Sequence, residues 1–86
     1  MATLNSKQAQ RIADGIMSFI PYNTNIMDNR GYIIASGDKE RINTLHMGAV
    51  HALSTMQPYI VEEDAKTERK GVNLPIMHND EAVGVI

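Results

Sequence analysis

The sequence predicts an α+β domain: one antiparallel sheet of five strands with flanking helices. Three observations lead there. Apolar residues recur at helical spacing in only two segments, Asn5 to Ile20 and the stretch after Thr44. Short runs rich in Ile, Val and Met fill most of the remainder, separated by Asn, Asp and Gly turn signals. Neighbouring strands follow one another through hairpins, which makes the sheet antiparallel and sets the helices apart from it.

In Asn5 to Ile20, Ala9, Ile12, Ala13, Ile16, Phe19 and Ile20 recur on one side, with Lys7, Gln10, Arg11, Asp14 and Ser18 between them. Asn5 is suited to cap the first turn, Gln8 stands at the capping-box position, and Pro21 stops the helix. This helix packs on the core or forms a dimer contact. Asn23–Asp28 and Tyr32–Ser36 read as strands, with Gly31 supplying positive φ to the turn between them. Gly37 to Asn43 is polar and irregular, with one helical turn after Asp38. Thr44 is the expected N-cap of a second helix whose Leu45, Gly48, Ala49, Ala52, Leu53 and Met56 share a face, and Pro58 ends it. Tyr59–Val61, Gly71–His78 and Ala82–Ile86 are the remaining strands, with a charged connection from Glu62 to Lys70 and an Asn79-Asp80 turn. Pro75 cannot donate to a ladder and so marks an edge, a bulge, or backbone turned toward something other than a neighbouring strand. Five strands with helices between the second and third is the arrangement of Cache and PAS sensor domains.

Eighty-six residues make a single domain, residues 1–86, and the chain stops inside the apolar run Val83–Ile86, as a piece of a longer protein would. With no Trp, one Phe and six Met, the core is aliphatic, with methionine filling gaps. The absence of Cys excludes disulfides and thiolate metal sites. A net charge of −2 with scattered signs gives no basic face for nucleic acid, and no apolar run approaches membrane-spanning length. The N-terminus lacks a secretory signal, so a soluble intracellular domain is the expectation. No Ser-His-Asp elbow, phosphate-cradling loop or metal cluster is recognisable, and His46 and His51 do not share a helical face. The expectation is therefore no enzyme, no cofactor and no metal. The stretch Asn25 to Ala49 organises the chain: a hairpin, a polar loop carrying Ser36, Gly37, Asp38 and Arg41, and a helix opening near His46. Such a unit is a common way to build a small-molecule pocket.

Asn25-Ile-Met-Asp28, the Gly31-x-Ile-Ile-Ala-Ser-Gly-Asp38 run, Arg41-Ile42, Leu45-His46, Gly48-Ala49, Gly71-Val-Asn-Leu-Pro-Ile76 and Val83-Gly-Val-Ile86 resemble the sugar diacid recognition domain. That domain forms the N-terminal part of bacterial carbohydrate diacid regulators, and the likeness covers nearly the whole chain. It implies a cytoplasmic, Cache/PAS-like sensor for glucarate, galactarate or glycerate; a homodimer is the expected assembly. It also implies a helix-turn-helix segment elsewhere that acts on DNA, so these residues alone should not bind DNA. Asn43 departs from the pattern, standing where a glycine is expected.

A sugar diacid presents carboxylates and hydroxyls, which call for a cation or clustered N–H donors with amides and hydroxyls between. Given the resemblance, Arg41 is the candidate for one carboxylate, against the plainer reading of an exposed pair with Asp38. His46, beside the free N–H groups of a helix start, either joins Arg41 or caps neighbouring backbone. Ser36, Gly37 and Asp38 either meet sugar hydroxyls or form a turn. Asn73, with backbone near Leu74 and Pro75, is expected to complete the pocket, and Pro75 also has a purely conformational reading. The rival function is a dimerisation module that binds no ligand.

Overall fold

The computed structural model describes residues 4–64 and 69–86. Helix α1 (Ser6–Met17) is followed by β1 (Asn25–Asp28), β2 (Ile33–Ser36), a short 3-10 helix (Lys39–Arg41), α2 (Met47–Thr55), β3 (Tyr59–Val61), β4 (Gly71–Asn73), β5 (Pro75–His78) and β6 (Glu81–Val85). Asn5 caps α1 as its sequence suggests: its Oδ1 accepts the N–H groups of Lys7 (2.8 Å) and Gln8 (3.3 Å). Asn5→Ala should therefore lower stability by about 1 kcal/mol, read from a denaturant midpoint. The helix closes at Ser18, ahead of Pro21, where the Ser18 hydroxyl donates to the carbonyl of Gly15 (2.6 Å).

The β1–β2 hairpin turns at Gly31 (φ 92°), while Asp28 Oδ1 accepts from the N–H groups of Arg30 and Tyr32 at 2.9 and 3.1 Å. All described pairings are antiparallel. They form a four-stranded sheet of order β2-β1-β6-β5 and a two-stranded sheet of β3 and β4. The single expected strand Gly71–His78 is thus interrupted at Leu74, although Leu74 exchanges both backbone hydrogen bonds with Ile86 (2.8 and 2.9 Å). Part of the Glu62–Lys70 connection, residues 65–68, lies outside the described residues.

Two irregularities decide which side chains face which helix. Ile26 pairs with Ala35 but Met27 with Ile33, so Ile34 is an extra residue in β2. Likewise Ile76 pairs with Gly84 but Met77 with Ala82, which makes Val83 the extra residue in β6. An inserted residue reverses the alternation of faces beyond it. Met27, Ile33 and Val85 accordingly pack with Ala49 and Ala52 of α2, whereas Ile26 and Ala35 pack with Ala9 and Ala13 of α1. The sheet is a layer between two small aliphatic cores.

Alpha2 is shorter than its sequence suggests. It begins at Met47, and His46 rather than Thr44 is its N-cap, with Nδ1 accepting the Ala49 N–H (3.2 Å). Residues 43–46 are held instead by β2. The Asn43 N–H donates to the Ile33 carbonyl (2.8 Å), the Ile33 N–H to the Thr44 carbonyl (2.9 Å), and the His46 N–H to the Gly31 carbonyl (2.8 Å). The Thr44 hydroxyl turns back to the Arg41 carbonyl.

Candidate functional site

The sequence-selected residues fall into two groups. The first lies where β2 leaves the sheet. Ser36 is fully buried, and its hydroxyl donates to Asn25 Oδ1 (2.6 Å) while accepting the Asp38 N–H (2.9 Å). Asn23 completes this network by donating to Asn25 Oδ1 (2.8 Å) and accepting the Gly37 N–H (2.8 Å). From α1, the Gln10 amide takes both backbone groups of Ser36: Oε1 accepts its N–H and Nε2 donates to its carbonyl, each at 3.1 Å. Lys39 Nζ reaches the same carbonyl at 3.3 Å. Asp38 caps the 3-10 turn by accepting the Glu40 N–H (3.2 Å).

Two open hollows border this loop. One, of about 400 Å³, is lined by Met17, Ile20, Pro21, Tyr22, Asn23, Gly37 and Asp38. The other, of about 670 Å³, lies between the start of α1 (Asn5, Ser6, Lys7, Gln10) and Ile34, Ile42 and Asn43. Asn43 adopts φ 75°, the left-handed region that glycine enters freely and Asn tolerates better than most residues. That conformation accommodates the departure from glycine noted in the sequence. Arg41 stands on the 3-10 turn, half-buried, and its guanidinium makes no ion pair with Asp38 among the described residues.

The second group gathers at the first turn of α2. Asn73 is only 4% exposed and faces Gly48, whose missing Cβ would stand 2.5 Å from Asn73 Nδ2. Nδ2 donates to the Tyr59 carbonyl (3.3 Å) across the β3–β4 pair. His46 caps the same turn. Tyr59 in turn stacks on His51 of α2, with ring centroids 4.6 Å apart.

Ser36 lies on β2 of the four-stranded sheet, and Asn73, on β4 of the two-stranded sheet, faces α2. Leu74 does not join them. Its side chain points to the opposite face and both its backbone groups are bound to Ile86. The Gly37 N–H is likewise taken, by Asn23. Residues that sequence reasoning passed over, Gln10, Asn23 and Asn25, hold the loop. The alternating Asn23-x-Asn25 spacing at a strand start was their only local signal.

Among the described residues no group of three or more His, Asp or Glu side chains is placed to hold a metal, and no helix is long and apolar enough to cross a membrane. A thin α+β layer with polar side chains gathered at strand exits and at a helix start is the build of a small ligand-recognition domain. The chain belongs to the family described as "Putative sugar diacid recognition", whose pattern it matches over residues 4–86. It is 45% identical over 89 residues to the carbohydrate diacid regulator of Escherichia coli (strain K12), covering 96% of this chain and 23% of that protein. It is also 37% identical over 90 residues to an uncharacterized protein of Haemophilus influenzae (strain ATCC 51907 / DSM 11121 / KW20 / Rd), covering 96% of this chain and 24% of the relative. The chain thus spans about a quarter of the length of these curated relatives. The family is the one that the motif blocks of the sequence resemble.

Proposed function

We propose that this chain is the ligand-sensing unit of a cytoplasmic transcriptional regulator and binds a sugar diacid or hydroxy acid without transforming it. Glucarate, galactarate and glycerate are the ligands of choice. The observation that carries this reading is the family match across residues 4–86, which includes both polar groups described above. The ligand would lie on the α2 side of the sheet. Arg41 and the first turn of α2 beside His46 would take one carboxylate, and Asn73 and Asp38 would meet the hydroxyls, with buried Ser36 holding the loop that carries Asp38. Leu74, with both backbone groups bound to Ile86, would not touch the ligand, and Pro75 would shape the backbone or complete the pocket beside Asn73. The layout β2-β1-β6-β5, carried on toward β3 through the Leu74–Ile86 pair, is what a Cache/PAS-like five-stranded sheet would show. Ligand occupancy would bias a DNA-binding segment outside these residues by differential binding to two conformations.

A thermal-shift titration tests this. Glucarate, galactarate or glycerate should raise the melting temperature in a concentration-dependent way, and succinate should not. No rise with any hydroxylated acid would reject the reading. Arg41→Ala should weaken binding by about tenfold, the loss of one charge-assisted contact. Unchanged affinity on calorimetry would remove Arg41 from the site.

A second reading, a dimerisation module, is favoured by one observation. Phe19 is 89% and Tyr22 74% exposed at the end of α1, near Ile12 and Ile20, themselves 47% and 43% exposed. Exposed aromatics on one surface are typical of protein contacts. Sedimentation that shows a dimer, with no response to any diacid, would select it.

A further inference from the structure

We propose that Asn73 and the first turn of α2 form a subsite for a 2-hydroxycarboxylate, in which the carboxylate sits on backbone N–H groups and the neighbouring hydroxyl donates to Asn73 Oδ1. This deepens the sensing reading above and rests on it. The argument begins with an acceptor that lacks a donor. Asn73 is 4% exposed, its Nδ2 is committed to the Tyr59 carbonyl (3.3 Å), and its Oδ1 has no hydrogen-bond partner among the described residues. Turning the amide over would set two carbonyl oxygens against each other, so the Tyr59 contact fixes the oxygen as the outstanding group. Buried side-chain acceptors are nearly always satisfied, and one left open calls for a donor from outside the chain.

That oxygen lies beside Gly48, where a second set of groups is unfilled. Alpha2 is nine residues long, and His46 Nδ1 takes the Ala49 N–H (3.2 Å), while the Val50 N–H reaches the His46 carbonyl (3.1 Å). The N–H groups of Met47 and Gly48 have no partner among the described residues. These are the donors that make a helix start attractive to an anion. Gly48 is what lets both sets share one place: a Cβ there would stand 3.0 Å from Asn73 Oδ1 and 2.5 Å from Nδ2.

The two sets ask for opposite chemistry. Amide N–H groups want an acceptor with negative charge, and a carbonyl oxygen repels one and wants a hydroxyl. A carboxylate with a hydroxyl on the adjacent carbon offers both from neighbouring atoms. A plain carboxylate leaves Asn73 Oδ1 unpaired, and a polyol without a carboxylate leaves the two N–H groups unpaired. The subsite therefore reads the 2-hydroxy acid end of a ligand and discriminates against the deoxy acid.

The test compares glucarate with adipate, the six-carbon diacid lacking every hydroxyl, by calorimetry on the chain and on Asn73→Leu, which keeps the shape and removes the acceptor. The unaltered chain should prefer glucarate by tenfold or more, and Asn73→Leu should cut that preference at least fivefold. Should Asn73→Leu fail to fold, nitrogen-15 spectra of the unaltered chain decide instead. Glucarate should move the Met47 and Gly48 amide signals and the Asn73 side-chain signals, while adipate leaves the Asn73 side chain in place. Glucarate binding that leaves those signals still, or a preference untouched by Asn73→Leu, overturns the subsite while sensing stands. Absence of binding by either acid overturns both.

Discussion

Gly84→Ala should unfold this chain more readily than the other substitutions considered, with a loss of about 3 kcal/mol in unfolding free energy. Gly84 sits in β6 opposite Asp28 and Ile76, at the centre of the four-stranded sheet. A methyl group there would lie 2.5 Å from the Met27 carbonyl oxygen and 2.8 Å from Leu4 Cδ1. Leu4 is a flexible side chain ahead of α1 and can turn aside. The Met27 carbonyl cannot, because it belongs to the ladder that joins β1 to β6. Relief must come from displacing a strand pair, and both aliphatic cores hang on that pair through Val85, Met27 and Ile26. For a domain of this size the melting temperature should fall by roughly 12–24 °C. Scanning calorimetry reads the shift directly, and a change of less than about 1 kcal/mol would mean that the sheet can open there at little cost.

The second large effect is expected at Gln10, and it links α1 to the loop that carries Ser36, Gly37 and Asp38. The Gln10 amide serves the Ser36 N–H and carbonyl as another strand would, and its Nε2 also donates to Asp14 Oδ1 (2.9 Å). Gln10→Leu leaves the Ser36 carbonyl with Lys39 but strands its N–H inside the protein. That should cost about 2 kcal/mol, since removing one partner exposes the full desolvation penalty of the other. Gln10→Glu is expected to do no better: its carboxylate still accepts the N–H, but the oxygen that replaces Nε2 is set against Asp14 Oδ1 and the Ser36 carbonyl. Amide exchange at Ser36 should quicken in Gln10→Leu more than exchange at Ala49, because the opening is local to the loop. Equal acceleration at both sites would show that Gln10 supports the whole fold and not the loop in particular.

Much of the local architecture was legible. The Asn5 cap, the Gly31 turn, the third strand and the hairpin turn at Asn79-Asp80, with φ 50° and 65°, each depend on residues a few positions apart. The faces of the sheet were not legible, because a one-residue insertion at Ile34 or Val83 leaves no mark on composition and is fixed only when two strands align their hydrogen bonds. The start of α2 was misplaced for a similar reason. Thr44 is the better cap by type, but its neighbours are drawn into pairing with β2 through Ile33, and His46 caps instead. The candidate site divides along the same line. Ser36, Asp38 and His46 were nameable as polar residues at element ends, yet the partners Gln10 and Gly48 stand 26 residues before Ser36 and on a different element from Asn73.

What the sequence by itself determined is the α+β class, the order of the elements apart from the break at Leu74, the aliphatic core and the family, since periodicity, caps and motif blocks are carried by near neighbours. Tertiary structure alone decided which residues meet: Gln10 with Ser36, Asn73 with the first turn of α2, and Leu74 turned away from both. The physical reason is that backbone pairing between distant strands sets register, and register sets the direction of every side chain along a strand.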